Sequence, residues 1–178
     1  KTIIKELTEY SIVKRGREIA LSHGDVESKF KRIVNLYNHQ TNISFRTSQS
    51  ILLNQYSTPA PIGYLMGIYC GIHLGNKKVF EPSAGNGLLT IAAKPELVTV
   101  NEIDRNRRKN LLRDSYHQVL DQDATLHFFD FYQYFDSVVT NPPFGRIGKS
   151  QKIHVDGYRI YDLDHFMAIV GLYTMRDT

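Results

Sequence analysis

The sequence predicts an α/β fold built on a doubly wound, mostly parallel sheet. Short β-branched runs alternate with helical stretches, each run ends in a polar residue, and a strand, a glycine turn and a helix follow one another around Glu81-Pro82-Ser83-Ala84-Gly85-Asn86-Gly87. In such sheets ligands gather outside the carboxyl ends of the strands.

At 178 residues the chain has the length of one domain, with a hydrophobic content of 42% that argues against wholesale disorder. A single Cys70 leaves no intrachain disulfide, and neither it nor the seven histidines have zinc-ligand spacing, so no metal is expected. That usage suits a reducing, cytoplasmic compartment. No apolar run approaches the ~20 residues that a bilayer span needs. Residues 1–50 hold nine Lys or Arg against five Asp or Glu, a surplus equal to the whole formal charge of +4. It suits either an arm that meets a polyanion or a solvated helical face.

The order of elements starts with an N-terminal helical region, 1–50, ahead of an α/β region, 51–178. Asp25 is placed to cap a helix whose Val26, Phe30, Ile33, Val34 and Tyr37 share a face. Thr58-Pro59 reads as a cap and first residue of a second helix, with Ile62, Leu65, Met66, Tyr69 and Cys70 as its apolar face and Gly75-Asn76 as its stop. Lys77 to Glu81 forms a strand, and Leu88, Leu89, Ile91 and Ala92 begin the helix after the glycine turn. The turn lacks the Gly-Lys-Ser/Thr ending of a phosphate loop and the third glycine of a dinucleotide fingerprint.

Leu97 to Val100 is the next strand, followed by Asn101-Glu102-Ile103-Asp104 and a basic helix from Arg105. Glu102 lies 21 residues after Glu81, a position suited to ribose hydroxyls and equally to an ion pair with a nearby arginine. Thr125 to Phe129 reads as a third strand ending at Asp130-Phe131, and Ser137 to Thr140 as a fourth ending at Asn141-Pro142-Pro143-Phe144. Two prolines forbid extension of that strand and stiffen an amide and an aromatic ring at its end. Four strand ends thus carry Glu81, Glu102, Asp130 and Asn141 to one rim. Gly145 to Lys152 reads as a basic loop that either closes over a nucleic-acid strand or merely connects. Asp162 is placed to cap a helix with Leu163, Phe166, Met167, Ile169, Val170 and Leu172 as core.

The order Thr58-Pro59, Glu81 to Gly87, Asn101 to Asp104, Asp130 and Asn141-Pro142-Pro143-Phe144 resembles S-adenosylmethionine-dependent N6-adenine DNA methyltransferases, in the group whose cofactor motifs precede the catalytic one. The resemblance covers roughly residues 55 to 175. It implies a Rossmann-like methyltransferase sheet, S-adenosylmethionine as cofactor, and DNA as partner in preference to RNA. Thr58 would then meet the methionine carboxylate, and Glu81, Pro82, Ser83, Ala84, Gly85 and Gly87 would line the methionine moiety. Glu102 would take the ribose hydroxyls, Ile103 and Phe131 would sandwich the adenine, and Asp130 would accept from its amine. Asn141, Pro142, Pro143 and Phe144 would hold the target base. Methylation of RNA or of a protein glutamine amide, and a noncatalytic binding module, are the alternatives.

The sequence departs from the family by ending after four of seven strands, without a target-recognition domain, and by starting at Lys1. The expectation is a fragment or domain of a longer modification or helicase-associated protein of bacterial or phage type, with a sheet edge covered by another segment, by another copy or by nothing.

Overall fold

The computed structural model describes residues 2–40, 57–147, 153–155 and 157–177. The 50/51 boundary between the two expected regions lies outside them, as do residues 148–152 of the basic loop. Among the described residues no helix is long and apolar enough to cross a membrane.

Two helices open the chain, α1 (Thr2–Leu21) and α2 (Val26–His39). Asp25 caps α2 as expected, its side chain accepting from the Ser28 N–H at 2.8 Å. Helix α3 (Ala60–Tyr69) leads through a 3-10 turn at Ile72–Leu74 into β1 (Val79–Glu81). There follow β2 (Val98–Asn101), α4 (Arg105–Leu111), β3 (Gln118–Leu120), β4 (Ser137–Val138), a hairpin of β5 (Ile153–Val155) and β6 (Tyr158–Ile160), and α5 (Leu163–Leu172). Strands β1 to β4 form one parallel sheet in the order β3-β2-β1-β4. The strand order reverses between β1 and β4, which makes the crevice above them the natural ligand site.

Every residue of β1 and β2 is buried, as a parallel sheet covered on both faces requires. One core joins Val79, Val98 and Val100 to Val13 of α1, Ile33 of α2 and Tyr64 of α3. A second, aromatic core on Phe80 gathers Phe128, Phe135, Phe166 and Val170. Phe128 meets the Phe80 ring edge-on at 4.9 Å, and Phe135 stacks on it at 4.9 Å.

Several expectations are corrected. The third strand is Gln118–Leu120, registered on Thr99–Asn101, and not Thr125–Phe129. A turn closed on Asp123, which accepts from Thr125 N–H at 2.9 Å and from its hydroxyl at 2.8 Å, ends the extended chain first. The aromatic run beyond it packs on Phe80 instead of joining the ladder.

On α3 the buried residues are Ala60, Gly63, Tyr64 and Gly67, whereas Ile62, Leu65, Met66 and Tyr69 are exposed. The small residues let α3 lie directly on the Leu88–Thr90 turn that follows the glycine loop, since a Cβ on Gly63 would stand 2.2 Å from the Leu88 carbonyl oxygen. Pro59, not Thr58, occupies the cap position. The glycine loop is followed by one 3-10 turn, Leu88–Thr90, rather than an α-helix. In α5 Phe166, Met167 and Val170 are buried while Leu172 is exposed. Beyond α5 the chain returns to the sheet. Tyr134 N–H donates to the Thr174 carbonyl at 2.8 Å and Arg176 N–H to the Phe135 carbonyl at 2.9 Å, so a later segment of the chain itself forms a parallel bridge beside β4.

Candidate active site

The carboxyl ends of β1 to β4 surround a cleft of about 360 Å³, within the range of roughly 300–1,000 Å³ typical of small-molecule sites. Because the sheet order is linear, its walls follow in sequence: Asp123 and Ala124 after β3, Glu102 and Ile103 after β2, Glu81 to Asn86 after β1, and Asn141, Pro143 and Phe144 after β4. Thr58 and Ser57 close it beside Asn141, and Leu163 and Met167 of α5 complete it.

The glycine loop is tied down from both sides. Ala84 N–H donates to the Asn101 carbonyl at 2.9 Å. The Asn101 side chain donates to the carbonyls of Pro82 at 2.9 Å and Gln122 at 2.8 Å, and accepts from Gln122 N–H at 2.9 Å. One buried amide therefore fixes the ends of β1, β2 and β3 together. Gly87, at φ +91°, brings the loop against the Tyr116 hydroxyl, where a Cβ would approach to 2.3 Å.

Glu102 is 5% exposed and accepts from Gly85 N–H and from Asp104 N–H, both at 2.7 Å. Burial pushes its carboxyl up to about 7, against the pull of those N–H donors and of Arg107. Glu81 is more deeply buried, and its Oε2 has no hydrogen-bond partner among the described residues. Burial first, and the Glu102 charge second, hold it well above the usual carboxylate range. Such an orphaned polar atom at a cleft wall asks for a ligand.

At the other end Asn141 Nδ2 donates to Thr58 Oγ1 at 3.1 Å, and Ser83 shares a hydrogen bond with Thr140 at 3.1 Å. Thr58 is thus turned toward Asn141 instead of capping α3. Phe144 is 55% exposed at the cleft mouth.

The structure brings Thr58, Glu81, Pro82, Ser83, Ala84, Gly85, Glu102, Ile103, Asn141, Pro143 and Phe144 to this one cleft. Pro142, Gly87, Asp130 and Phe131 do not line it. Asp130 is exposed on the 3-10 turn Phe129–Phe131, and Phe131 is packed 5.3 Å from Phe135 and 6.2 Å from Phe80. Their expected place, at the end of the third strand, belongs to Asp123 and Ala124.

Sequence reading also missed Glu9 of α1, which is 2% exposed, lines the cleft and accepts from Ser57 Oγ at 2.7 Å. Its neighbour Glu6 binds the loop itself, accepting from Asn86 Nδ2 at 2.8 Å and Arg107 Nε at 2.9 Å. The signal in the sequence was a helix with carboxylates and Arg17 interleaved among its apolar residues. Among the described residues no cluster of His, Cys, Asp and Glu could hold a metal ion.

No protein-family model matches the chain, and no curated protein matches its sequence. Among solved structures it superimposes on the crystal structure of a protein from Pyrococcus horikoshii described as a "putative RNA methyltransferase", with 20% identity and a TM-score of 0.55 over 83% of this chain and 70% of the other. The similarity lies in the fold, and it makes this four-stranded parallel sheet with its helices a Rossmann-like methyltransferase fold.

Proposed function

We propose that the chain is an adenine-N6 methyltransferase that acts on DNA and uses S-adenosylmethionine. The observation that carries the reading is the joining of Asn141 to Thr58 at one end of a cleft whose other walls are Glu102 and Asp123. The cleft suits the cofactor in size and in polarity along its length. Asp123 and Ala124 would meet an adenine, Glu102 ribose hydroxyls, and the loop after β1 the amino-acid moiety.

When bound, the cofactor supplies an electrophilic sulfonium methyl. The chain's own task is to make an exocyclic amine nucleophilic. Its lone pair is delocalised into the ring until the amine hydrogens are held by acceptors. With Nδ2 directed at Thr58, the Asn141 amide would meet the amine through Oδ1, and the Pro142 carbonyl would take the second hydrogen. These acceptors favour a pyramidal nitrogen and stabilise the positive charge that develops on it, without a strong base. The two prolines hold both acceptors in one geometry. Phe144, half exposed at the mouth, would stack on the extruded base and offset part of the flipping cost.

The test is transfer of labelled methyl to DNA, RNA and protein substrates by the chain, with Asn141→Ala as control. Labelling of DNA at adenine N6, abolished in the variant, supports the reading. Because a protein of the same fold is described as acting on RNA, RNA is the competing acceptor. Labelling of RNA or protein alone would overturn DNA as the substrate.

A further inference from the structure

The N-terminal helix reaches the cleft through one buried carboxylate, Glu9, that lies outside the motifs quoted from the sequence. Glu9 stands beside Ser57 and Thr58, and Thr58 is bonded to Asn141, so Glu9 belongs to the β1–β4 end. With adenine and ribose at the β3–β2 end, this is the end that receives the amino-acid moiety. We propose that Glu9 binds the α-ammonium group of the cofactor's amino-acid moiety; the assignment rests on the proposed function above.

The charges around the cleft support it. Glu9, Glu81, Glu102 and Asp123 line it, and Arg107 is the basic residue among the described lining residues. Arg107 is already engaged by Glu6 at 2.9 Å while it also feels Glu9 and Glu102. A buried carboxylate that shares its guanidinium gains from a further cation. Glu81 is the other carboxyl close to this end, and burial first and the Glu102 charge second push it well above the usual carboxylate range. A carboxyl shifted in that direction is a weaker partner for a cation. The Ser57 hydroxyl, donating to Oε2 at 2.7 Å, fixes the Glu9 side chain.

Calorimetry with three ligands tests the assignment. S-adenosylhomocysteine carries the ammonium, its desamino analogue has hydrogen in place of the amino group, and 5′-methylthioadenosine lacks the amino-acid moiety. Glu9→Gln is expected to weaken S-adenosylhomocysteine at least about tenfold, as loss of a charge-assisted bond does, and to change the other two less than about twofold. The wild-type chain alone gives a second reading, since it should bind the desamino analogue at least about tenfold more weakly than S-adenosylhomocysteine. Equal weakening of all three ligands by Glu9→Gln, or no weakening of any, would overturn the role of Glu9 while leaving the cofactor site intact. Failure of the wild type to bind any of the three overturns both the role and the site.

Discussion

Asn141 and Thr58, 83 residues apart, share a hydrogen bond of 3.1 Å that joins the amide after β4 to the threonine before α3. A bond of this kind orients an amide more than it stabilises a fold. Thr58→Val, which removes the acceptor at nearly constant volume, is expected to lower single-turnover methyl transfer about tenfold, the equivalent of about 1.4 kcal/mol. Thr58→Ser, which keeps the oxygen, should restore most of it. Equal rates for both variants would show that the bond does not position Asn141.

Asp123 and Asp130 are separated by a single substitution at each. Asp123→Asn keeps an acceptor for the Thr125 N–H but presents an amide donor where an adenine amine needs an acceptor. It should weaken S-adenosylhomocysteine roughly tenfold in calorimetry, while Asp130→Asn, on the exposed 3-10 turn, should leave affinity unchanged. The reverse result would return the adenine contact to Asp130.

Glu102 gives a pH dependence with a definite sign. Its carboxyl titrates at about 7 when folded and near ~4.3 when unfolded, so between those values the folded state binds more protons. Stability therefore falls as pH rises through that window, by roughly 4 kcal/mol in all. Glu81, shifted in the same direction, adds a slope of the same sign, so the difference between wild type and Glu102→Gln is the quantity to follow by thermal melting. Ribose hydroxyls would donate to the ionised form, so S-adenosylhomocysteine affinity should rise from pH 5 to about 7 and then level off. In Glu102→Gln the affinity should be low and flat.

The Glu6–Arg107 pair is 6% exposed on each side chain. Arg107→Met leaves the Glu6 carboxylate, among the described residues, with Asn86 as its side-chain partner and is expected to cost about 3–5 kcal/mol, a drop of roughly 10 °C in Tm. Combining it with Glu6→Leu should recover part of the loss, because the buried charge is removed with its partner. A double variant as unstable as the single one would show that packing, not the stranded charge, dominates.

Much of the site was legible in the sequence because Glu81, Glu102 and Asn141 each interrupt a short apolar run, and that interruption marks a strand end. The third strand was hidden. Gln118-Val119-Leu120 is a partly exposed edge with a weak apolar signal, while Thr125 to Phe129 has the stronger β composition and spends it on the aromatic core. Helix α3 misled in the opposite way. Its large residues suggested the buried face, but close packing on the Leu88 backbone and on the Ala92 side chain favours Gly63 and Gly67. The part helix α1 plays in the site escaped because buried Glu6 and Arg17 tie it to Arg107 of α4 and to Asp114 through ion pairs, and Glu6 and Glu9 accept from Asn86 and Ser57, contacts that no periodicity reveals.

The attachment of α1 to the glycine loop also orders events during synthesis. Asn86, Arg107 and Asn110 find their partners 80 to 104 residues earlier in the chain, contacts too distant to form quickly by random search. Translation lets the N-terminal helix emerge first. The loop leaves the ribosome after the segment that holds it, so closure is the docking of a late segment onto an early one.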